Sequence, residues 1–178
     1  MRTNLHPKFA ISIAVALSLV ISTAQGEDVV TFASWMATFD FTAFPGADLS
    51  PTGDADGDGI ANAVEFVIGN LPNQTKVENL PTLTRVTNPN VGGTVLVGNY
   101  LKFSYRRSDA SDDAADISLD VAYSRTDLAG PWSIAGVGED GVELDDTPNP
   151  EIPGVDVAVY IPLRSDTKFF ARLQVTVP

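Results

Sequence analysis

The sequence predicts a mainly β fold: an antiparallel β-sandwich with a small N-terminal helical element. Three observations lead there. From Thr82 onward apolar and polar residues alternate with a period of two, as in Leu101-Phe103-Tyr105 and Val155-Val157-Val159-Ile161, so every second side chain falls on one face of a strand. Earlier in the chain the period is helical: Phe32, Trp35, Met36 and Phe39 lie at i, i+3, i+4 and i+7. Between that stripe and a second short helical pattern lies an acidic, glycine-rich loop, Asp54 to Gly59.

The chain begins with a basic stretch (Arg2, Lys8), an apolar run from Phe9 to Ile21 broken only by Ser12 and Ser18, and small residues from Ser22 to Ala24 and at Gly26. This is the layout of a secretory signal, so residues 1–26 are read as one, cleaved after Ala24 or Gly26. A membrane anchor, the other reading, needs about 20 consecutive, mostly apolar residues, and this run spans 13, of which 11 are apolar. The mature chain is thus expected outside the cytoplasm, in the periplasm, at the cell surface or in the medium, with no transmembrane anchor.

Removing the signal changes the chemical inventory. The 178 residues hold one histidine, His6, and no cysteine, so the mature chain has neither. That excludes Ser-His-Asp and Cys-His catalysis, thiolate or imidazole zinc sites, and disulfides. Loss of Arg2 and Lys8 leaves nine basic residues against 23 acids, a net charge of -14. Such a chain attracts cations and repels phosphate backbones, so no nucleic-acid partner is expected. An apolar fraction of 44% is enough for a folded core rather than a disordered chain.

The first helix is expected over residues 31–39, with Thr31 as its cap and Pro45-Gly46 ending any continuation. Residues 46–59 read as loop. A second helix is expected from Asn62 to Ile68, with Ile60, Val64, Val67 and Ile68 on one face and Gly69-Asn70 and Pro72 as its stop. Residues 27–72 thus form a helix–loop–helix element, 73–81 a connector, and 82–178 the β-sandwich domain. Strong strands are expected around Leu101–Arg106, Asp116–Tyr123, Val155–Ile161 and Phe169–Val177. Weaker ones are expected at 82–87, 94–97, 132–136 and 141–144. Turns fall at Asn88-Pro89-Asn90, Gly92-Gly93, Ser108 to Ala115, Gly130-Pro131 and Thr147 to Pro153.

The loop carries specific chemistry. With Asp54 as position 1, oxygen-bearing side chains fall at positions 1, 3 and 5 (Asp54, Asp56, Asp58), glycine at 6 (Gly59), an amide at 9 (Asn62) and a carboxylate at 12 (Glu65). This is the spacing of an EF-hand calcium loop. Calcium is a hard cation that takes six to eight oxygens at about 2.3–2.6 Å, and alternate residues of a tight loop turn three carboxylates inward. Gly59 permits the positive φ of the turn. The carbonyl of Ile60 is the expected position 7 ligand, Asn62 is expected to act through a water, and Glu65 closes the sphere with two oxygens from the following helix. Magnesium, smaller and reluctant to lose its waters, suits so many ligands less well. A solvated acidic turn is the bland alternative. The apolar residue at position 7 rather than 8, the non-helical entering segment Gly46 to Gly53 and the single loop all argue for a structural clip rather than a sensor.

The stretch from Phe32 to Pro72 resembles a module of exported proteins from verrucomicrobial and planctomycete-type bacteria. Trp35, Gly46-Ala47-Asp48, Asp54 to Gly59, Asn62, Glu65 and Phe66 carry the likeness. The segments LPTLT, YLKFSYRR, YSRTDLAGPW and FFARLQVT resemble, more loosely, the region C-terminal to that module. The resemblance implies the C-terminal region of an exported protein in an uncharacterised family. The loop alone is also similar to half a dockerin and to a thrombospondin type 3 repeat. A dockerin needs two such loops, which speaks against cohesin docking.

Other features rank lower. Asp109, Asp112, Asp113 and Asp116 crowd one turn, and Asp140, Glu143, Asp145 and Asp146 another; both read as solvated acidic turns, and Arg106-Arg107 as salt-bridge partners for such acids. Trp132, Tyr100, Tyr105, Tyr123 and Tyr160 read as core or sheet cover, with sugar stacking as the alternative. The expected function is therefore non-enzymatic: an exported calcium-binding protein for adhesion or assembly, with an unknown protein or glycan partner. A carbohydrate-binding module with structural calcium is the first alternative, a carboxylate-dependent hydrolase the second.

Overall fold

The computed structural model describes residues 30–148, 153–165 and 168–178, so the expected signal, residues 1–26, lies outside them. In chain order the elements are α1 (Phe32–Met36), α2 (Asn62–Ile68), β1 (Thr82–Thr87), β2 (Asn90–Val91), β3 (Thr94–Val95), β4 (Asn99–Arg107), α3 (Asp109–Asp112), β5 (Ser118–Ser124), β6 (Ser133–Ile134), β7 (Glu143–Pro148), β8 (Val155–Pro162) and β9 (Phe170–Thr176). The fold is mainly β, and the strand pairs are antiparallel, as the period-two pattern predicts.

The strands form a four-stranded sheet ordered β1-β4-β8-β7, a three-stranded sheet β6-β5-β9, and the small hairpin β2-β3. Register follows the alternation. Leu101, Phe103 and Tyr105 of β4 stand opposite Ile161, Val159 and Val157 of β8, which keeps the apolar side chains on one face. Phe103, Val157, Val159 and Ile161 meet Val121 and Tyr123 of the other sheet in one core. The reverse face of β8 is also covered: Ala158 and Tyr160 pack with Val91 of the β2-β3 hairpin. Strand β8 is thus buried on both sides, and polar Asp156 falls at its exposed start.

The helical element shares a second core with the sheets. Phe32, Met36, Ala63 and Phe66 pack together, with Ile117, Val175 and Val177 of the β region against them. Polar bonds reinforce the junction. The last carbonyls of a helix lack internal partners, and here segment 108–111 supplies them. Ser108 N–H donates to the Val67 carbonyl (2.8 Å) and Ser108 Oγ–H to that of Phe66 (2.7 Å). At the other end, the Asp116 carboxylate accepts the Phe32 N–H at 3.0 and 3.2 Å.

Several boundaries differ from expectation for local reasons. Helix α1 has the predicted Thr31 cap, reciprocated by Ser34, but ends at Met36 instead of Phe39. The Thr38 hydroxyl donates to the Trp35 carbonyl (2.7 Å), a local bond that competes with continuation of the helix. The turn Ser108 to Ala115 contains the short helix α3, capped by Ser108. Strand β7 starts at Glu143 and runs on to Pro148, later than 141–144, because it takes its register from β8. The turn residue Asn90 belongs to strand β2.

Candidate metal centre

The acidic loop is closed at its base by backbone. Asn62 N–H donates to the Gly53 carbonyl (2.8 Å) and Ala63 N–H to that of Pro51 (3.0 Å), so the chain enters and leaves the loop side by side. Gly57 (φ 80°) and Gly59 (φ 93°) take the left-handed conformation that tightens the turn. Gly53 is required for space instead: a Cβ there would collide with the Asp48 carbonyl.

Loop amides collect on one side of the carboxylates. The N–H groups of Gly57 (2.8 Å) and Asp58 (3.2 Å) donate to Asp54 Oδ1, and that of Gly59 (2.9 Å) to Asp54 Oδ2. Asp58 N–H also donates to Asp56 Oδ1 (3.1 Å), and Ile60 N–H to Asp58 Oδ1 (2.8 Å). These bonds fix the side chains and leave one oxygen each on Asp56 and Asp58 buried and without a partner. Carboxylate oxygens of Asp54, Asp56 and Asp58 lie within 4.8 Å of one another, a cluster able to hold a metal ion.

Glu65 stands in the first turn of α2, outside that cluster of oxygens. It is 1% exposed, and neither of its carboxylate oxygens has a hydrogen-bond partner. Burial pushes its pKa up to about 8, and the neighbouring charges of Asp56, Asp58 and Asp54 push in the same direction. Asp56 is raised as well, first by burial and then by Asp58 and Asp54, while the backbone N–H groups of Asp58 and Gln74 pull it down. Outside the cluster Asp48 goes the other way, lowered by the Ser50 N–H. A buried carboxylate that faces three others and accepts no hydrogen bond is costly unless a cation sits among them.

The predicted ligands therefore divide. Asp54, Asp56 and Asp58 come together, and Glu65, not among their converging oxygens, is near enough for their charges to act on it. Ile60 sits at the exit of the turn. Asn62 makes three hydrogen bonds to backbone. Its Oδ1 accepts the Ala55 N–H (3.1 Å), and its Nδ2 donates to the carbonyls of Asp48 and Ser50 (both 2.8 Å). Fully buried, it braces the loop against the entering segment. Sequence reasoning missed Asn70, which is 4% exposed with both side-chain polar atoms unpartnered. It lies outside the twelve-residue spacing and read only as part of a helix stop.

The other acidic turns have structural roles. Asp112 pairs with Arg107 (2.6 Å), Asp140 with Arg164 (3.1 Å), and Asp116 holds α1. The aromatic residues are largely engaged too: Tyr123 and Tyr160 are buried, and the Arg172 guanidinium lies 4.1 Å from the Trp132 ring centre. Among the described residues no helix is long and apolar enough to cross a membrane. Comparison with known protein families, curated proteins and solved structures finds no match.

Proposed function

We propose that this chain is an exported, non-enzymatic protein in which a calcium ion, held by the loop Asp54 to Glu65, clips the helical element to the β region in service of adhesion or assembly outside the cytoplasm. The observation that carries the reading is Glu65, buried and unpartnered opposite three clustered aspartates. Asp54, Asp56, Asp58, the Ile60 carbonyl and two oxygens of Glu65 offer six oxygen donors, the chemistry of a hard cation, and their number favours calcium over magnesium. Phe66, next to Glu65, lies in the core shared with Ile117 and Val175, so ordering the loop also orders the junction.

The test is calorimetry and thermal melting of the purified protein with calcium, with magnesium and with EDTA. Saturable calcium binding and a raised melting temperature are expected, with magnesium much weaker. An unchanged melting temperature between EDTA and millimolar calcium would sink the proposal.

A carbohydrate-binding role is the second reading, favoured by a polar groove of about 440 Å³ on the β1-β4-β8-β7 sheet. Lys102, Ser104, Arg106 and Asp145 line it and mix hydrogen-bond donors with acceptors. Retention on insoluble polysaccharides or a glycan array separates the two readings, and no retention would eliminate this one.

A further inference from the structure

Among the described residues, seven of the eight buried side-chain polar atoms that lack a hydrogen-bond partner lie between Asp56 and Asn73. Four belong to the carboxylates of Asp56, Asp58 and Glu65. Two more are the oxygen and nitrogen of Asn70, whose side chain is almost wholly buried. Buried polar groups are nearly always satisfied, so an amide with neither atom paired calls for a partner of another kind.

The closure of α2 says which one. Gly69 (φ 76°) ends the helix and donates its N–H to the Glu65 carbonyl at 2.8 Å; Asn70 N–H reaches the same carbonyl at 3.0 Å. That second bond is the six-to-one closure of the Schellman motif. In this motif the side chain two residues past the last helical one commonly packs on the side chain of the residue whose carbonyl is capped, and the pair is ordinarily apolar. Here those two positions hold Asn70 and Glu65, both polar, both buried and both unpartnered. Gly69 alone supplies the stop, so the helix end does not explain an amide at position 70.

We infer that Asn70 is a further member of the cation site, offering its side-chain oxygen to the ion that Glu65 closes. This rests on reading the Asp54–Glu65 loop as a calcium site. Calcium accepts six to eight oxygens. The amide of Asn62 is committed to the backbone of residues 48, 50 and 55. A neutral oxygen from beyond the loop adds a donor without adding to the repulsion among four carboxylates.

The test compares wild-type protein with Asn70→Leu and Asn70→Asp by calcium calorimetry and by melting in EDTA and in calcium. Asn70→Leu keeps the volume but removes the oxygen. It should weaken calcium binding about 10–100-fold while melting in EDTA no lower than wild type. Calcium binding by Asn70→Leu within twofold of wild type overturns the inference. Should that variant fail to fold, Asn70→Asp decides. A fourth side-chain charge beside Glu65 should lower its melting temperature in EDTA, and calcium should erase the deficit. A deficit of equal size in both conditions overturns the inference. Failure of the wild-type protein to bind calcium would instead remove the reading on which it rests.

Discussion

Replacing Glu65 with glutamine separates the metal-binding role of this side chain from its cost to the fold. The substitution keeps size and shape and removes the charge. In the unfolded chain the carboxyl has its ordinary pKa of 4.5, whereas in the folded, metal-free protein it rises to about 8. At pH 7 the unfolded chain is therefore ionised and the folded one mostly protonated. Holding the proton across about 2.5 pH units costs about 3 kcal/mol at 1.36 kcal/mol per unit. Glutamine carries no such cost, and it leaves about as many polar atoms unpaired as a neutral carboxyl does. In EDTA at pH 7, Glu65→Gln should thus be more stable than wild type by up to about 3 kcal/mol, or about 6–12 °C in melting temperature for a domain of this size. Calcium should close this gap, and reverse the order at a thousandfold excess over Kd, where the gain is about 4.1 kcal/mol. Wild type gains about 2.7 kcal/mol at a hundredfold excess over Kd, while the variant, lacking both closing oxygens, gains little. Differential scanning calorimetry in EDTA and in calcium reads all four states. An equal calcium-induced shift in wild type and variant would refute the reasoning, whatever the EDTA values.

The same side chain sets a pH dependence. Below about pH 4.5 Glu65 is neutral in both folded and unfolded chains; as pH rises the unfolded chain ionises first, so metal-free stability should fall until about pH 8 and then level off. The raised carboxyl of Asp56 adds to this with the same sign. Urea midpoints in EDTA at pH 5 and pH 8 measure the slope, and saturating calcium should flatten it. Gly53→Ala places a Cβ against the Asp48 carbonyl, which already accepts from Asn62 Nδ2; about 1–3 kcal/mol of stability should be lost, with weaker calcium binding by calorimetry. Ser108→Ala removes the hydroxyl that caps the Phe66 carbonyl and the start of α3. A loss of about 1–2 kcal/mol is expected, equal in EDTA and calcium, because Ser108 touches the helix end and not the loop.

The β region was legible because burial in a strand is written in every second residue. The alternation of Val155 to Ile161 located β8; in the fold Leu101, Phe103 and Tyr105 stand opposite its apolar residues, which keeps one face apolar. What a one-dimensional period does not carry is cover from elsewhere. Ala158 and Tyr160 fell on the polar side of that alternation, yet the β2-β3 hairpin buries them. Helix α3 was hidden for a related reason. Four aspartates in eight residues signal a solvated turn, and only the orphan carbonyls of α2 make Ser108 and Ser111 worth organising into a helical cap.

The loop shows the same limit in sharper form. Spacing selects residue type at each position, because a given separation along a tight turn brings side chains to a common centre. It located Asp54, Asp56 and Asp58, whose oxygens converge, and singled out Glu65, which is buried and without a hydrogen-bond partner. Spacing does not decide how a side chain is spent once it arrives. Asn62 has two ends, and three backbone groups of the entering segment and loop compete for them. The entering segment is turns and irregular backbone rather than a helix, and Asn62 ties its Asp48 and Ser50 carbonyls to the loop, the Ser50 carbonyl also accepting the Gly53 N–H. The backbone thus holds Asn62, and the further neutral oxygen inferred for the ion comes from beyond the loop, at Asn70.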